Sequence, residues 1–140
     1  MNKEFTIREY QPGDEEEIVE VLKASFPGWN KMENALAELS NGLLICDTNA
    51  FATGLWHEHY MGKRSSSVDE LASYSPIDLY ILTGDEIPFV QDGLRDGQAI
   101  RHHMHQRFIE RLEEEHKPYI IVTGNHETRL QEAVKTIDQL

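Results

Sequence analysis

Short, uninterrupted apolar runs alternate along this chain with segments whose apolar residues recur every three or four positions. A continuous apolar run between turn residues is typical of a strand covered on both faces. Three such runs occur, at 43–46, 79–82 and 119–122. Residues 5–10 alternate apolar and polar side chains instead, which predicts a half-exposed strand. Helical spacing predicts helices at 15–26, 32–39, 49–60, 68–74 and 98–116, and a last helix capped by Asn125.

Strands that alternate with helices favour a parallel sheet with right-handed crossovers. We therefore expect an α/β fold with a mostly parallel sheet of about four strands flanked by helices. A chain of 140 residues is one domain by the usual length. No repeat, low-complexity segment or linker divides it, so we expect a single domain over residues 1–140.

Charge and composition narrow the classes of partner and compartment. The formal net charge is -12, and an acidic surface repels phosphate backbones, which disfavours nucleic acid as a partner. No apolar stretch approaches the ~20 residues of a membrane span, and the first residues contain no apolar signal region. These features predict a cytoplasmic protein without membrane contact. The single cysteine, Cys46, lies in an apolar run and is expected to be a buried thiol.

Residues 33–140 carry several segments of one recognisable pattern. The most specific is Pro88-Phe89-Val90-Gln91-Asp92-Gly93-Leu94-Arg95. It is accompanied by Ile45-Cys46-Asp47-Thr48-Asn49, by the stretch from Trp56 to Tyr60, and by Tyr119-Ile120-Ile121-Val122-Thr123-Gly124. Together these segments resemble the later part of the P-loop nicotinamide riboside kinases, the kinase half of bifunctional NAD-biosynthesis proteins.

The resemblance implies a nucleoside or nucleotide ligand, ATP and Mg²⁺, with a role for each matching residue. It implies that Asp47 takes the Walker-B-like catalytic place, where it helps hold Mg²⁺ or orients the substrate hydroxyl. Trp56 and Tyr60 would flank a nicotinamide ring, and Asp92 would contact the substrate. Arg95, in the family's lid, would approach phosphate. The family usually has Asp-Thr-Asp where this chain has Asp47-Thr48-Asn49, so one carboxylate is missing.

Each of these positions also has a simpler structural interpretation. Asp47 ends an apolar run and is equally suited to a hydrogen bond with a helix N-terminus. Trp56 and Tyr60 are four residues apart, and an aromatic pair at helical spacing is usually part of the core. His102 and His105 lie one helical turn apart, but no cysteine accompanies them, so a zinc site is not predicted.

Cations gather at the start of the predicted helix at 98–116, and acidic residues gather at its end. This order opposes the helix macrodipole, which favours anions first and cations last. Arg95 and Arg101, with His102 and His103 nearby, would suit a phosphate or sulfate at that helix start. The alternative is a solvated face whose cations pair with acidic neighbours.

The first 30 residues resemble a different family. Ile7-Arg8-Glu9-Tyr10-Gln11-Pro12-Gly13-Asp14 and the apolar stripe after it are similar to the first strand and helix of GNAT acetyltransferases. The pyrophosphate-binding turn of that family does not occur in this sequence. An acetyltransferase is therefore the least favoured of the functions considered.

The glycine-rich phosphate loop of a P-loop kinase does not occur in these 140 residues either. That loop, G-x-x-x-x-G-K-[S/T], wraps phosphates with bare backbone N–H groups and adds a lysine. The nearest stretch is Gly62-Lys63-Arg64-Ser65, but His57 takes the place of the first glycine and no predicted strand precedes it.

Two functions follow from these patterns. The first is a nicotinamide riboside kinase-like domain, with lid and substrate elements but no Walker A, that transfers phosphate very weakly or not at all. The second is a non-enzymatic, recombined or truncated α/β domain that self-associates or binds a partner. A sheet without the phosphate-loop strand leaves apolar neighbours uncovered, which predicts either a rearranged strand order or a homodimer.

Overall fold

The computed structural model describes residues 31–32, 35–40, 42–74, 76–90 and 98–140. The chain divides into two compact units, Met1–Ser75 and Pro76–Leu140. The strand predicted at 5–10 and the helix predicted at 15–26 lie outside the described residues. None of the helices among the described residues is long and apolar enough to cross a membrane.

The regular secondary structure in the described part of the first unit is helical. Residues 31–32 and 35–39 are helical, as their spacing predicts. Helix α1 (Ala50–Met61) and helix α2 (Ser66–Ser73) follow and pack against each other. The core between them consists of apolar side chains that are at most 8% exposed: Ala50, Phe51, Leu55, Val68 and Leu71.

The ends of α1 are set by local chemistry. The side chain of Asn49 accepts a hydrogen bond from the amide of Ala52 at 3.0 Å, which satisfies one of the free N–H groups of the first turn. Gly62 ends the helix with a φ of 65°. A left-handed residue after the last turn is the commonest helix stop, and glycine adopts it without a steric penalty.

The second unit contains a parallel pair of strands. Strand β1 (Tyr80–Thr83) pairs with strand β2 (Tyr119–Val122), in a register that runs from Tyr80 opposite Tyr119 to Thr83 opposite Val122. Helix α3 (Gln98–Glu114) lies between the strands in the sequence, and helix α4 (His126–Ile137) follows β2. The parallel pairing predicted for these two runs is therefore confirmed.

Buried apolar side chains of α3 and β2 form the core of this unit. Met104 is 3% exposed and Leu112 is 1% exposed, and Val122 of β2 is buried with them. Arg111 is also buried, and its Nε donates to Glu115 Oε1 at 2.5 Å. This pairing one turn away offsets part of the cost of burying the guanidinium charge.

The prediction of about four strands is not met in the described residues, which contain two. The apolar run at 43–46 is non-helical and forms no strand. Its side chains are exposed, with Ile45 at 75%, and Cys46 is exposed rather than buried. A strand requires a hydrogen-bonded neighbour, and the described residues up to position 74 include none, so apolar composition alone did not make residues 43–46 a strand.

Two apolar faces of the second unit are less covered than their patterns predict. Ile81 of β1 is 40% exposed, so this strand is covered mainly on one face. On α4, the predicted stripe includes Leu130 and Val134, which are 50% and 46% exposed. An apolar stripe indicates which face of a helix can be buried, but not whether a partner covers it.

The different burial of two leucines gives a direct test of this core. Leu112→Ala should lower the free energy of unfolding by roughly 2–5 kcal/mol, because it removes buried methyl groups and leaves a cavity. Urea unfolding followed by circular dichroism measures the change.

Leu130→Ala is the matched control, since it makes the same substitution at a half-exposed helical position. It should change the free energy of unfolding by less than about 1 kcal/mol. Equal losses in the two variants would contradict the core described here.

Candidate functional site

The carboxyl ends of β1 and β2 lie at the same edge of the sheet. The amide of Gly84, the residue after β1, donates to the carbonyl of Val122 at 2.9 Å and extends the pairing by one residue. The turns that follow the two strands, 84–87 and 123–125, therefore begin side by side. In open α/β sheets this edge is where ligands bind.

A carboxylate bridges the two turns. Glu86 Oε1 accepts a hydrogen bond from the amide of Gly124 at 2.7 Å, and Gly124 has a φ of 87°. Gly84 makes room for this bridge, because a Cβ there would lie 2.0 Å from Glu86 Oε2 and 2.9 Å from Thr123 Cγ2. The bridge thus depends on the missing side chain of a buried glycine.

Helix α4 starts at this edge. The Asn125 side chain accepts from the amide of Thr128 at 2.9 Å, which confirms the predicted N-cap. The first turn of a helix leaves free amides, and helix N-termini favour negative charge. The Glu86 carboxylate on the neighbouring Gly124 amide is consistent with that preference.

Arg101, predicted to contact phosphate, lies against the turn after β1. Its Nη2 donates to the carbonyl of Asp85 at 2.7 Å and also to the carbonyl of Ile87. The guanidinium carbon lies 5.9 Å from the centre of the Phe89 ring, within range of a cation–π contact. In this arrangement Arg101 fastens residues 85–89 to the first turn of α3, and its contact with phosphate stays a prediction.

His102 completes the attachment of this turn. Its Nδ1 is hydrogen-bonded to the Asp85 carboxylate. This bond lowers the pKa of Asp85 below its ordinary value, partial desolvation opposes the shift, and the charge of His105 adds to it. The cations that oppose the α3 macrodipole are therefore engaged by a carboxylate and by carbonyls, which favours the alternative of pairing with neighbours at Arg101 and His102.

Asp47, the predicted catalytic carboxylate, is exposed in the stretch before α1. The next residue, Thr48, has a φ of 77°, a left-handed conformation that is strained for a β-branched side chain. Asn49 then caps the helix through its side-chain oxygen. The residue that departs from the family's Asp-Thr-Asp therefore has a structural use that aspartate would serve equally well.

Trp56 and Tyr60 are brought together on α1. Their rings stack with centroids 6.0 Å apart and an angle of 23° between the planes. His59 meets both rings edge-on, at 6.1 Å and 5.1 Å. Trp56 is 36% exposed and Tyr60 is 62% exposed, so the interpretation of this pair as core is wrong. The stack presents aromatic surface to solvent, because α1 turns its other face to α2.

Two of the predicted site residues, Asp92 and Arg95, lie outside the described residues. Asp47, Trp56 and Tyr60 belong to the first unit and Arg101 belongs to the second. The described residues contain no group of three or more His, Cys, Asp or Glu side chains able to hold a metal ion. Asp47 alone would suit Mg²⁺ only together with phosphate oxygens of a nucleotide.

Sequence reasoning did not single out Glu86. Its position four residues after the apolar run at 79–82 was the only signal available, and many surface glutamates have a similar position. Its contact with Gly124 spans 38 positions in the sequence, so it depends on the pairing of β1 with β2 and not on any local pattern.

Comparison with models of known protein families shows which family the chain belongs to. A family model described as an AAA domain matches residues 14–129, which is most of the chain. The protein belongs to the AAA domain family. This P-loop NTPase-like family agrees with the expected kinase-like class, and its match includes part of the segment that resembles acetyltransferases. No curated protein and no solved structure matches the chain.

The Glu86 bridge can be tested by a double-mutant cycle. Gly84→Ala should displace the Glu86 carboxylate and lower the free energy of unfolding by about 1 kcal/mol, because a hydrogen bond is lost and the turn must shift. Glu86→Ala should cost a similar amount, and the double variant should cost clearly less than the sum.

The cycle is measured by urea unfolding of the wild type, the two single variants and the double variant. Additive losses would show that Gly84 and Glu86 act independently. Such a result would contradict the geometry of this edge.

Proposed function

We propose that this chain is a nucleotide-kinase-like domain of the nicotinamide riboside kinase type, which binds a nucleoside and by itself transfers phosphate very weakly or not at all. Membership in a P-loop NTPase-like family supports the kinase-like class. The observation that supports nucleoside binding is the exposed stack of Trp56 and Tyr60. An aromatic surface left in solvent is suited to stacking with a flat heterocycle such as nicotinamide.

The proposed chemistry is transfer of the γ-phosphate of ATP to the ribose 5′-hydroxyl. In this proposal Asp47 would orient the hydroxyl and would help to hold Mg²⁺, which would neutralise charge on the phosphates. Asp92 contacts the nucleoside, while Arg95 and Arg101 neutralise phosphate charge. Arg101 of α3 lies against the turn after β1, at the edge where α/β sheets bind ligands, and this position supports the proposed role.

The missing phosphate loop is the reason to expect little or no turnover from these 140 residues. Phosphoryl transfer depends mostly on positioning and on electrostatic stabilisation of the phosphates. Backbone amides and the lysine of that loop supply much of both, and no stretch of this sequence combines them at the required spacing. Binding of the nucleoside does not need the loop, so binding and turnover separate in this chain.

Isothermal titration calorimetry tests the nucleoside site. Nicotinamide riboside should bind the wild-type chain, and Trp56→Ala should weaken its affinity at least about fivefold, because one stacking contact is worth roughly 1–3 kcal/mol. A ligand at a hundred times its dissociation constant should also stabilise the fold by about 2.7 kcal/mol in a thermal shift experiment.

Tyr74→Ala is the matched control for the loss of an exposed aromatic ring. Tyr74 directly follows α2, its side chain is 57% exposed, and its hydroxyl is hydrogen-bonded to Glu70. The Tyr74→Ala substitution should leave the affinity for nicotinamide riboside unchanged. Acetyl coenzyme A and ATP with Mg²⁺ complete the ligand set, and binding of acetyl coenzyme A alone would support the acetyltransferase. If the chain binds neither a nucleoside nor a nucleotide, the proposed function is overturned.

A second candidate is a recombined or truncated domain that acts by self-association or by binding a partner. The exposed apolar face of α4 favours it. Leu130 and Val134 lie along a shallow groove that also includes Gln131, Lys135, Asp138 and Gln139. An apolar stripe at helical spacing that stays exposed is a common site of helix–helix contact.

Light scattering coupled to size-exclusion chromatography measures the mass of the chain in solution and so tests whether it self-associates. If α4 forms a homodimer contact, the wild-type chain should have the mass of a dimer, and Leu130→Glu should shift it toward the monomer by placing a charge in the apolar face. Glu132→Gln, an exposed position on the same helix, is the control and should leave the dimer intact. A monomeric wild type at all concentrations would remove the homodimer.

A further inference from the structure

The exposed rings of α1 offer a surface that attracts positive charge. The face of an aromatic ring is electrically negative, and indole attracts a cation more strongly than the rings of tyrosine and phenylalanine do. Trp56 and Tyr60 stack on each other, and His59 meets both of their rings edge-on. Trp56 is 36% exposed and Tyr60 is 62% exposed, so part of each ring is accessible to a ligand. A flat cation over such a ring gains an attraction that a neutral ring of the same shape lacks.

The position of the stack on its helix acts in the same direction. Tyr60 lies in the last turn of α1, Trp56 lies one turn earlier, and Gly62 ends the helix. The last carbonyls of a helix have no partner further along it, so the C-terminal end carries partial negative charge and favours a cation. The end of α1 therefore adds an attraction for positive charge beside Tyr60.

The fixed charges around the stack are compatible with a cationic ligand. The sequence of α1 contains Glu58 and neither lysine nor arginine. Arg64, shortly after the helix, donates from Nε and Nη2 to Asp69 Oδ2 at 3.1 Å and 3.0 Å, so its charge is offset by a carboxylate. Lys63 is exposed, where water and salt weaken its repulsion of a ligand. The chain as a whole carries a formal charge of -12, which attracts cations.

We infer, on the basis of the proposed function, that Trp56 makes the nucleoside site selective for a positively charged ring, a pyridinium, over a neutral ring of the same size. Nicotinamide riboside carries such a pyridinium. The selectivity depends on charge and not on shape, because both rings cover the same area of the indole. Cation–π attraction at an exposed site is small, so the pyridinium should bind about two- to fivefold more tightly than its neutral counterpart.

Isothermal titration calorimetry with a matched pair of ligands tests this selectivity. Nicotinamide riboside is compared with the carbon-linked riboside of benzamide, in which a neutral benzene ring replaces the pyridinium while the carboxamide and the ribose stay. The titrations are made at roughly 0.5 M salt, where the long-range attraction of the acidic chain is screened. The wild-type chain should bind nicotinamide riboside about two- to fivefold more tightly than the benzamide compound.

Two substitutions of Trp56 separate the charge effect from apolar contact. Trp56→Leu keeps an apolar side chain without a ring, so it should bind the two ligands with equal affinity. Trp56→Phe keeps a ring whose face attracts cations less strongly, so it should retain a smaller preference for the pyridinium. Tyr74→Ala, which removes the exposed ring directly after α2, is the control and should keep the full preference. Circular dichroism checks that each variant is folded.

The outcomes distinguish this selectivity from nucleoside binding itself. Equal affinities for the two ligands in the wild type would overturn the selectivity and leave the nucleoside site standing. The same preference in Trp56→Leu as in the wild type would also overturn it, because the preference would then come from charges elsewhere in the chain. If neither ligand binds, the proposed function is overturned and the selectivity with it.

Discussion

The parallel pairing of β1 with β2 is the constraint on which the second unit depends. It brings together two runs that are far apart in the sequence, and it places their carboxyl ends at one edge. Gly84 extends the pairing, Glu86 reaches across to Gly124, and α4 starts where β2 ends. Without the pairing none of these groups would be near one another.

The reversed charge order on α3 has its explanation at the same edge. A helix that starts with cations is unfavourable for its own dipole. Here Arg101 and His102 of the first turn are used to hold the turn after β1, and the interactions with carbonyls and with the Asp85 carboxylate offset the local cost. The departure from a local rule thus marks a tertiary contact, which is where such departures are expected.

In the first unit, several apolar and aromatic side chains remain exposed to solvent. Its helices α1 and α2 bury one face against each other, but the aromatic stack of Trp56 and Tyr60 and the apolar run at 43–46 are left in contact with solvent. Exposed apolar surface of this kind usually has a binding role. In the proposed function the stack serves a nucleoside. The exposed face of α4 in the second unit supports the alternative, a contact with another chain.

The sequence alone determined the features that depend on neighbouring residues. Helical spacing located α1, α2, α3 and α4 to within a few residues, Asn125 was recognisable as a helix cap, and two apolar runs became paired strands. These signals are local, since a cap or an amphipathic stripe is complete within one or two turns.

Only the tertiary structure decided which apolar segments are covered and which distant groups meet. The run at 43–46 has the composition of a buried strand but no neighbour to pair with among the described residues of its unit, and composition cannot supply one. The contacts of Glu86 with Gly124 and of Asp85 with His102 join residues 17 to 38 positions apart. Their geometry comes from strand register and helix placement, which depend on many weak interactions summed over the whole unit and not on any single motif.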